Sequence, residues 1–150
     1  MRPVWPGTVA MDRGRYLALA ALAGVYLLDH WVDTFAASEP SGDEERAVYV
    51  VENGAGLACY AGQSRRGPQA GAAGRRVGEH MREPSKASEW ARYWVFPLKA
   101  DTPDAVVDTF ERAVAVRLGL PLRNRRWRRR AKGRRAASPS MSMGADGAKA

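Results

Sequence analysis

The feature that most constrains the fold is a β-hairpin predicted near the middle of the chain. Residues 47–51 are rich in β-branched and aromatic side chains, which favour extended strands. Asn53 and Gly54 follow, and this dipeptide is strongly favoured in tight hairpin turns. Residues 57–61 then supply a returning strand. The pattern predicts two antiparallel strands against which the rest of the domain packs.

Three further elements are predicted downstream of the hairpin. Residues 75–83 have the composition of a short helix, which Pro84 ends. Residues 92–98 combine aromatic and β-branched side chains and predict a third strand. A longer helix is expected to begin after Asp101 and to run to about Leu118. The expected fold class is α+β, with a small, three-stranded, mostly antiparallel sheet flanked by helices.

The composition of the chain changes twice, which divides it into three segments. Residues 1–45 are predicted to form an N-terminal apolar helix and an acidic linker, with the linker at residues 38–45. Residues 46–124 are predicted to be the folded domain. Residues 125–150 are expected to be a basic tail that is disordered when free, since they contain few large apolar side chains. The net charge of +8 arises mostly here, because residues 123–150 hold ten Lys or Arg and one Asp or Glu.

An apolar run in the N-terminal segment is too short to cross a membrane as a helix. Residues 16–28 are thirteen uncharged residues, fewer than the roughly 20 that a membrane-spanning helix needs. We expect a helix that docks on the domain or on a protein partner. The alternative is a signal-peptide core, because Arg13 and Arg15 precede the run, although no small-x-small cleavage site lies close behind it. A cytoplasmic location is expected.

Four polar side chains are predicted to lie near the hairpin and the helix that follows it. Tyr49 and Tyr60 lie on the two hairpin strands, eleven positions apart, and strand alternation allows both to project from one face. Arg76 and His80 are four residues apart and share one face of the next helix.

A carboxylate in the last predicted helix lies beside its apolar stripe. The stripe recurs at three- and four-residue steps and is expected to face the sheet, and its residues are Val107, Phe110, Val114 and Leu118. Glu111 lies at the edge of this stripe, so its carboxylate should point along the core-facing side of the helix.

The order and spacing of these residues resemble those of the GIY-YIG nucleases. Residues 47–49 (Ala-Val-Tyr) and 60–62 (Tyr-Ala-Gly) match the two tripeptides that name the family, and Gln63 and Ser64 continue the match. The resemblance covers about half of the chain and extends to four later positions, Arg76, His80, Glu111 and Asn124. Two residues depart from the family pattern, since Ala47 replaces a glycine and Ala61 replaces a bulky aliphatic residue.

The resemblance implies a role for each matched side chain. Tyr49 accepts the proton of the attacking water, Tyr60 orients water or phosphate, and Arg76 binds the scissile phosphate. Glu111 holds one divalent cation, which takes up charge on the leaving oxygen. A tyrosine acts as a base only when nearby cations lower its pKa. His80 is the alternative base, because an ordinary histidine has a pKa of about 6.5.

The expected cofactor is Mg²⁺ or Mn²⁺. One cysteine, Cys59, and two histidines provide too few ligands for a Cys/His zinc site. A single carboxylate, with water and substrate phosphate completing the coordination shell, suits Mg²⁺ or Mn²⁺. Cys59 lies in an apolar run and is interpreted as a small buried hydrophobic residue.

The basic tail is predicted to bind nucleic acid without sequence specificity. Residues 123–135 include nine basic residues, which neutralise phosphates through counterion release. Trp127 could stack on an unpaired base. The predicted contacts are Arg123, Asn124, Arg125, Arg126, Trp127, Arg128, Arg129 and Arg130. The alternative is a solvated charge run, or a binder of acidic protein or lipid surfaces.

The function predicted from these features is that of a metal-dependent endonuclease that hydrolyses phosphodiester bonds in DNA. Charge alone does not distinguish DNA from RNA as the nucleic acid that is bound. The alternative is a nucleic-acid-binding or accessory module that keeps the GIY-YIG fold without turnover.

Overall fold

The computed structural model describes residues 3–65 and 71–122. A first compact unit ends at Leu120. The first unit contains the N-terminal segment as well as the hairpin and the helices that follow it. The predicted tail lies outside the described residues.

After residue 46 the described elements follow the predicted order of hairpin, helix, strand and helix, with one additional helix before the last strand. The described helices are α1 (Arg13–Ala20), a 3-10 helix (Ala21–Tyr26), α2 (Ala72–His80), α3 (Pro84–Glu89) and α4 (Asp104–Arg117). The described strands are β1 (Phe35–Ala36), β2 (Arg46–Asn53), β3 (Ala58–Ser64) and β4 (Trp90–Leu98). Pro84 begins α3 as well as following the predicted helix, because proline fits the first turn of a helix.

The fold is α+β, with a four-stranded antiparallel sheet flanked by helices. The strand order is β1-β4-β2-β3, so β2 is central and β3 is an edge strand. The prediction of three strands was wrong by one. The additional strand, β1, has two residues and pairs with β4, so it is too short to produce a pattern in the sequence.

The predicted hairpin is confirmed, and its register places the two tyrosines on one face of the sheet. Tyr49 pairs with Gly62, and Val51 pairs with Tyr60. Since Tyr49 and Val51 are two residues apart on one strand, their side chains and that of Tyr60 share a face. Helix α2 packs on this face through Val77. Helix α4 packs on the other face, where Phe110 lies 5.6 Å from Phe96, measured between ring centroids.

The N-terminal segment is built into the compact unit through Tyr16. This side chain has no exposed surface. Its hydroxyl donates to the Val95 carbonyl at 2.7 Å and accepts from the Trp31 amide at 2.9 Å. Its ring stacks on Phe96 with a centroid separation of 4.5 Å. These contacts connect the segment before residue 46 to the central part of the sheet.

The N-terminal segment contains an α-helix followed directly by a 3-10 helix. The α-helix ends at Ala20, and a 3-10 helix continues to Tyr26 with Gly24 in the left-handed region at φ 58°. Val25 is 76% exposed, so part of the apolar run faces solvent. In the described part of the chain, no helix is long and apolar enough to cross a membrane.

The stretch predicted as a linker, residues 38–45, instead holds the start of α2. The Glu44 side chain is fully buried and accepts from the Ala73 amide at 2.9 Å. The Ser41 hydroxyl accepts from the Gly74 amide at 2.9 Å and donates to Glu44. Amides in the first helical turn have no partners within the helix, so these side chains satisfy them. The stretch therefore fixes the position of the helix that carries Arg76.

Replacing Tyr16 by Phe should lower the free energy of unfolding by about 1–3 kcal/mol, because buried polar groups lose a partner. The measurement is urea denaturation followed by circular dichroism. Tyr26→Phe is the matched control, because it also removes a tyrosine hydroxyl, from a half-buried residue at the end of the 3-10 helix. It should change the free energy of unfolding by less than about 0.5 kcal/mol. Equal effects of the two substitutions would show that the Tyr16 hydroxyl does not hold the N-terminal segment in place.

Candidate active site

Tyr49 lies across the edge strand of the described sheet at Gly62. The Tyr49 side chain is fully buried. A Cβ atom added to Gly62 would lie 2.5 Å from the Tyr49 hydroxyl oxygen and 2.6 Å from Cζ. Any residue other than glycine would therefore displace the phenol. Among the described residues, the Tyr49 hydroxyl has no hydrogen-bond partner, which leaves a buried polar group for a ligand or water to satisfy.

Tyr60 lies beside Tyr49 under a cover of aromatic rings. The ring centroids of the two tyrosines are 6.3 Å apart. Tyr60 is also 4.9 Å from Trp90, 5.3 Å from His80 and 5.6 Å from Trp5, measured between ring centroids. As a result only 8% of Tyr60 is exposed. Trp5 belongs to the N-terminal segment, so this segment covers part of the predicted site.

Arg76 lies on the second turn of α2, on the same side of the sheet as the two tyrosines. Its guanidinium forms an ion pair with Glu79 at 3.0 Å, and its side chain is 38% exposed. It is the most exposed of the predicted catalytic side chains that the structure describes. This position leaves the guanidinium accessible to a group that approaches from solvent.

Glu111 approaches the edge strand from the opposite face of the sheet. It is 2% exposed, and it accepts a hydrogen bond from the Gln63 side-chain amide. Gln63 pairs with Val48, so its side chain points to the face that α4 covers. The core-facing orientation predicted for Glu111 is confirmed.

Several ionisable groups shift the pKa of the buried Tyr49 phenol. Burial raises the pKa of Tyr49 well above its ordinary value of 10, and Tyr60 raises it further. The Arg76 guanidinium lowers this pKa, and the Glu111 carboxylate raises it. A charge shifts a pKa appreciably only at short range. Arg76 on one face of the sheet and Glu111 on the other therefore both influence the pKa of this phenol.

His80 is held in its neutral form. Burial lowers the pKa of His80 to about 4, and the positive charges of Lys86 and Arg76 lower it as well. The Lys86 ammonium lies 2.8 Å from Nδ1. An ammonium can only donate, so Nδ1 accepts and the proton of the neutral ring is on Nε2. Nδ1 is the ring nitrogen that could accept a proton, and it already accepts a hydrogen bond from the Lys86 ammonium.

Lys86 is a buried cation that the sequence analysis missed. It is 7% exposed, and its ammonium lies 5.2 Å from the centre of the Trp5 ring and 5.5 Å from that of Trp90. It also pairs with Glu83 at 2.9 Å. Trp90 follows Lys86 by four residues, but Trp5 comes from a distant part of the chain, so the local sequence does not indicate this site.

Two further side chains near Glu111 were given no role in the sequence analysis. Gln63 donates to Asp108 at 2.9 Å as well as to Glu111. Asp108 is 4% exposed and precedes Glu111 by three residues on α4. That spacing places two carboxylates on one helix face, so the sequence contains a signal for Asp108.

Metal-ligand clusters of the common kind do not occur in the described part of the chain. Residues 3–65 and 71–122 contain no group of three or more His, Cys, Asp or Glu side chains arranged to hold a metal ion. Close to the predicted site, the described carboxylates of Asp108 and Glu111 both accept a hydrogen bond from the Gln63 amide nitrogen.

Comparisons of the chain with protein-family models, with curated proteins and with solved structures give no match. The GIY-YIG assignment stays a prediction that rests on the residues quoted above. The nucleic-acid contacts predicted between Arg123 and Arg130 lie outside the described residues.

His80 should titrate with a pKa of about 4 in the folded protein, measured by NMR of the imidazole resonances. Lys86→Met should raise this pKa, because it removes a positive charge that disfavours the imidazolium. Lys99→Met, at an exposed position, is the control and should leave it unchanged. In the unfolded chain His80 has its ordinary pKa of about 6.5, so it binds a proton at a higher pH there than in the folded protein. The contribution of His80 to the free energy of unfolding should therefore decrease as pH falls from about 6.5 towards 4. A wild-type pKa near 6.5 would contradict this description of the site.

Proposed function

We propose that this protein is a metal-dependent endonuclease of the GIY-YIG type that hydrolyses phosphodiester bonds in DNA. The observation that carries the proposal is the position of Tyr49, whose phenol is influenced by Tyr60, Arg76 and Glu111 together. These three residues belong to a strand and two helices that pack on opposite faces of the sheet. A general base, a cationic phosphate ligand and a metal ligand are the groups that phosphodiester hydrolysis requires.

In this proposal Tyr49 accepts the proton of the attacking water. Burial raises the pKa of Tyr49, so the phenolate forms only when positive charge compensates it. The Arg76 guanidinium already acts in this direction. Tyr60, whose ring lies 6.3 Å from that of Tyr49, orients the water or the phosphate. His80 is less suited to act as the base, because Lys86 occupies its Nδ1 atom.

Arg76 binds the scissile phosphate. Its planar guanidinium presents two parallel N–H groups that match two phosphate oxygens. The side chain is 38% exposed and paired with Glu79, so a phosphate can approach it and compete with that carboxylate. An arginine in this position also neutralises charge that grows on the phosphate oxygens during the reaction.

The donor atoms around Glu111 fit a hard divalent cation. Its carboxylate and that of the neighbouring Asp108 offer oxygen ligands, which suit Mg²⁺ or Mn²⁺. Glu111 would hold one such cation, which when bound supplies stabilisation of the charge on the leaving oxygen.

The proposed substrate is DNA, delivered in part by the basic residues between Arg123 and Arg130. Their charge favours phosphate binding without base recognition, and RNA is the alternative substrate that they would also attract. We propose a cytoplasmic location for this activity.

A second function, nucleic-acid binding without turnover, is favoured by the burial of the tyrosines. Tyr49 has no exposed surface, and Tyr60 is 8% exposed beneath Trp5. Neither phenol reaches substrate in this arrangement unless the covering residues move. A protein of this fold with a permanently covered site would bind DNA and leave it intact.

Purified protein should cut plasmid and branched DNA in the presence of Mg²⁺ or Mn²⁺, and EDTA should prevent cutting. Arg76→Ala and Glu111→Ala should each reduce the rate by about a hundredfold or more, because each removes a group that stabilises charge in the transition state. Gel analysis of a time course measures the rates.

Two matched substitutions control for the loss of charge. Arg82→Ala removes an exposed arginine just after α2, and Asp101→Asn removes an exposed carboxylate just before α4. Both variants should cut within about threefold of wild type, as expected of surface changes away from the site. If wild type retards DNA on gels without cutting it, the endonuclease proposal is wrong and the binding function stands.

A further inference from the structure

Trp5 fills a pocket beside the candidate active site, which we call the Trp5 pocket. The pocket is lined by Tyr60, Trp90 and Lys86. The Trp5 ring centroid lies 5.6 Å from that of Tyr60 and 5.5 Å from that of Trp90. The Lys86 ammonium lies 5.2 Å from the centre of the Trp5 ring. The pocket therefore holds a flat aromatic ring beside a cation.

The lining of the Trp5 pocket contains donor groups that Trp5 cannot satisfy. Within the described residues, the Trp90 indole nitrogen is buried and has no hydrogen-bond partner. The Lys86 ammonium has three N–H donors, and its described acceptors are one nitrogen of His80 and one oxygen of Glu83. The Trp5 indole is itself a donor and has no acceptor atom. A flat ring with hydrogen-bond acceptors on its edge would match the lining better, because buried donors are rarely left unpaired.

The hold on Trp5 comes from its own stretch of backbone. The amides of Val4 and Trp5 donate to the two carboxylate oxygens of Glu89, at 3.0 Å and 2.9 Å. The indole N–H donates to the Ser85 hydroxyl at 3.4 Å, which is long for a hydrogen bond. Trp5 is the only buried side chain within residues 3–10. This residue and its amide contacts with Glu89 therefore anchor the start of the described chain.

The chain is fixed a second time three residues after Trp5. The Thr8 amide donates to the Ala58 carbonyl at 2.9 Å, and the Ala58 amide donates to the Val9 carbonyl at 2.7 Å. These bonds attach the chain to the first residue of β3. Residues 3–7 can therefore move off the Trp5 pocket while the rest of the N-terminal segment stays in place.

We infer that the Trp5 pocket binds an unpaired nucleobase, and that Trp5 leaves the pocket when the base enters. The inference rests on the proposed function for DNA as the partner. A nucleobase is a flat aromatic ring whose edge carries carbonyl and ring-nitrogen acceptors. Its ring replaces the indole against Tyr60 and Trp90, since bases stack on aromatic side chains. Its edge supplies acceptors for the donors that line the pocket.

Exchange of Trp5 for a base favours DNA in which a base is already unpaired. In a duplex the base must first leave its pair and its stack, which costs free energy. A single strand or a branch point presents the base without that cost. Because Trp5 occupies the pocket in the absence of DNA, the apparent affinity for a base is reduced by the fraction of molecules in which the pocket is closed.

The experiment measures DNA binding by the full-length chain in EDTA, using fluorescence anisotropy. The probes are a single strand, a duplex of the same sequence and a single strand of abasic residues. Trp5→Ala should bind the single strand about fivefold or more tightly than wild type, because the internal competitor is removed. Glu89→Ala keeps the indole and releases its backbone, so it should strengthen this binding by about threefold or more.

The other probes and a further variant are the controls. Trp5→Ala and Glu89→Ala should bind the duplex and the abasic strand within about twofold of wild type, because neither presents a free base. Asp43→Ala also removes a carboxylate, from an exposed position, and should bind every probe within about twofold of wild type. A 2-aminopurine base in the single strand should be quenched more strongly by Trp5→Ala than by wild type, as expected of a base that stacks on the exposed rings.

Circular dichroism establishes that each variant is folded. Wild-type affinity of a folded Trp5→Ala protein for the single strand would overturn the inference, and Glu89→Ala decides in the same way if Trp5→Ala is not folded. An equal gain for the abasic strand or the duplex would also overturn it, because the gain would then not depend on a free base. Failure of every variant to bind the single strand would overturn it too. A gain confined to the base-containing single strand, without any cutting in Mg²⁺ or Mn²⁺, would support the inference and count against the endonuclease proposal.

Discussion

The contact between the Tyr49 phenol and the backbone of Gly62 fixes the position around which the other residues of the candidate site are arranged. Because Gly62 has no side chain, the phenol crosses the edge strand and reaches the border between the two faces of the sheet. Arg76 comes to this border from α2 and Glu111 from α4. In the interior of a wider sheet the two helices would be separated by the sheet itself. Because β3 is an edge strand, the helices on both faces of the sheet lie beside it.

The elements that surround this contact are held by residues far from it in the sequence. Ser41 and Glu44 satisfy amides in the first turn of α2 and so fix the helix that positions Arg76. The Tyr16 hydroxyl joins the N-terminal segment to β4. That segment also brings Trp5 onto Tyr60. Stability of the fold and access to the site are therefore linked through the same N-terminal residues.

Much of the fold could be predicted because its signals are local. The turn dipeptide and the strand composition around it define the hairpin that carries Tyr49, and helical periodicity defines the inward direction of Glu111. The strand at Phe35–Ala36 was missed because two residues carry no periodicity, and its pairing with β4 supplies its structure. The surroundings of Lys86 and the convergence at Gln63 depend on packing between distant elements. No local pattern encodes such packing.

We propose that side chains from both faces of the sheet act on one phosphate at the edge of β3. A crystal structure of the protein with Mn²⁺ and a short DNA duplex tests this most directly, because the anomalous signal of manganese locates the cation independently of the DNA. The predicted result is a manganese peak at a coordinating distance of roughly 2.0–2.6 Å from Glu111, with one DNA phosphate bound to both the cation and Arg76. DNA bound at a different surface, with no cation at Glu111, would contradict the claim.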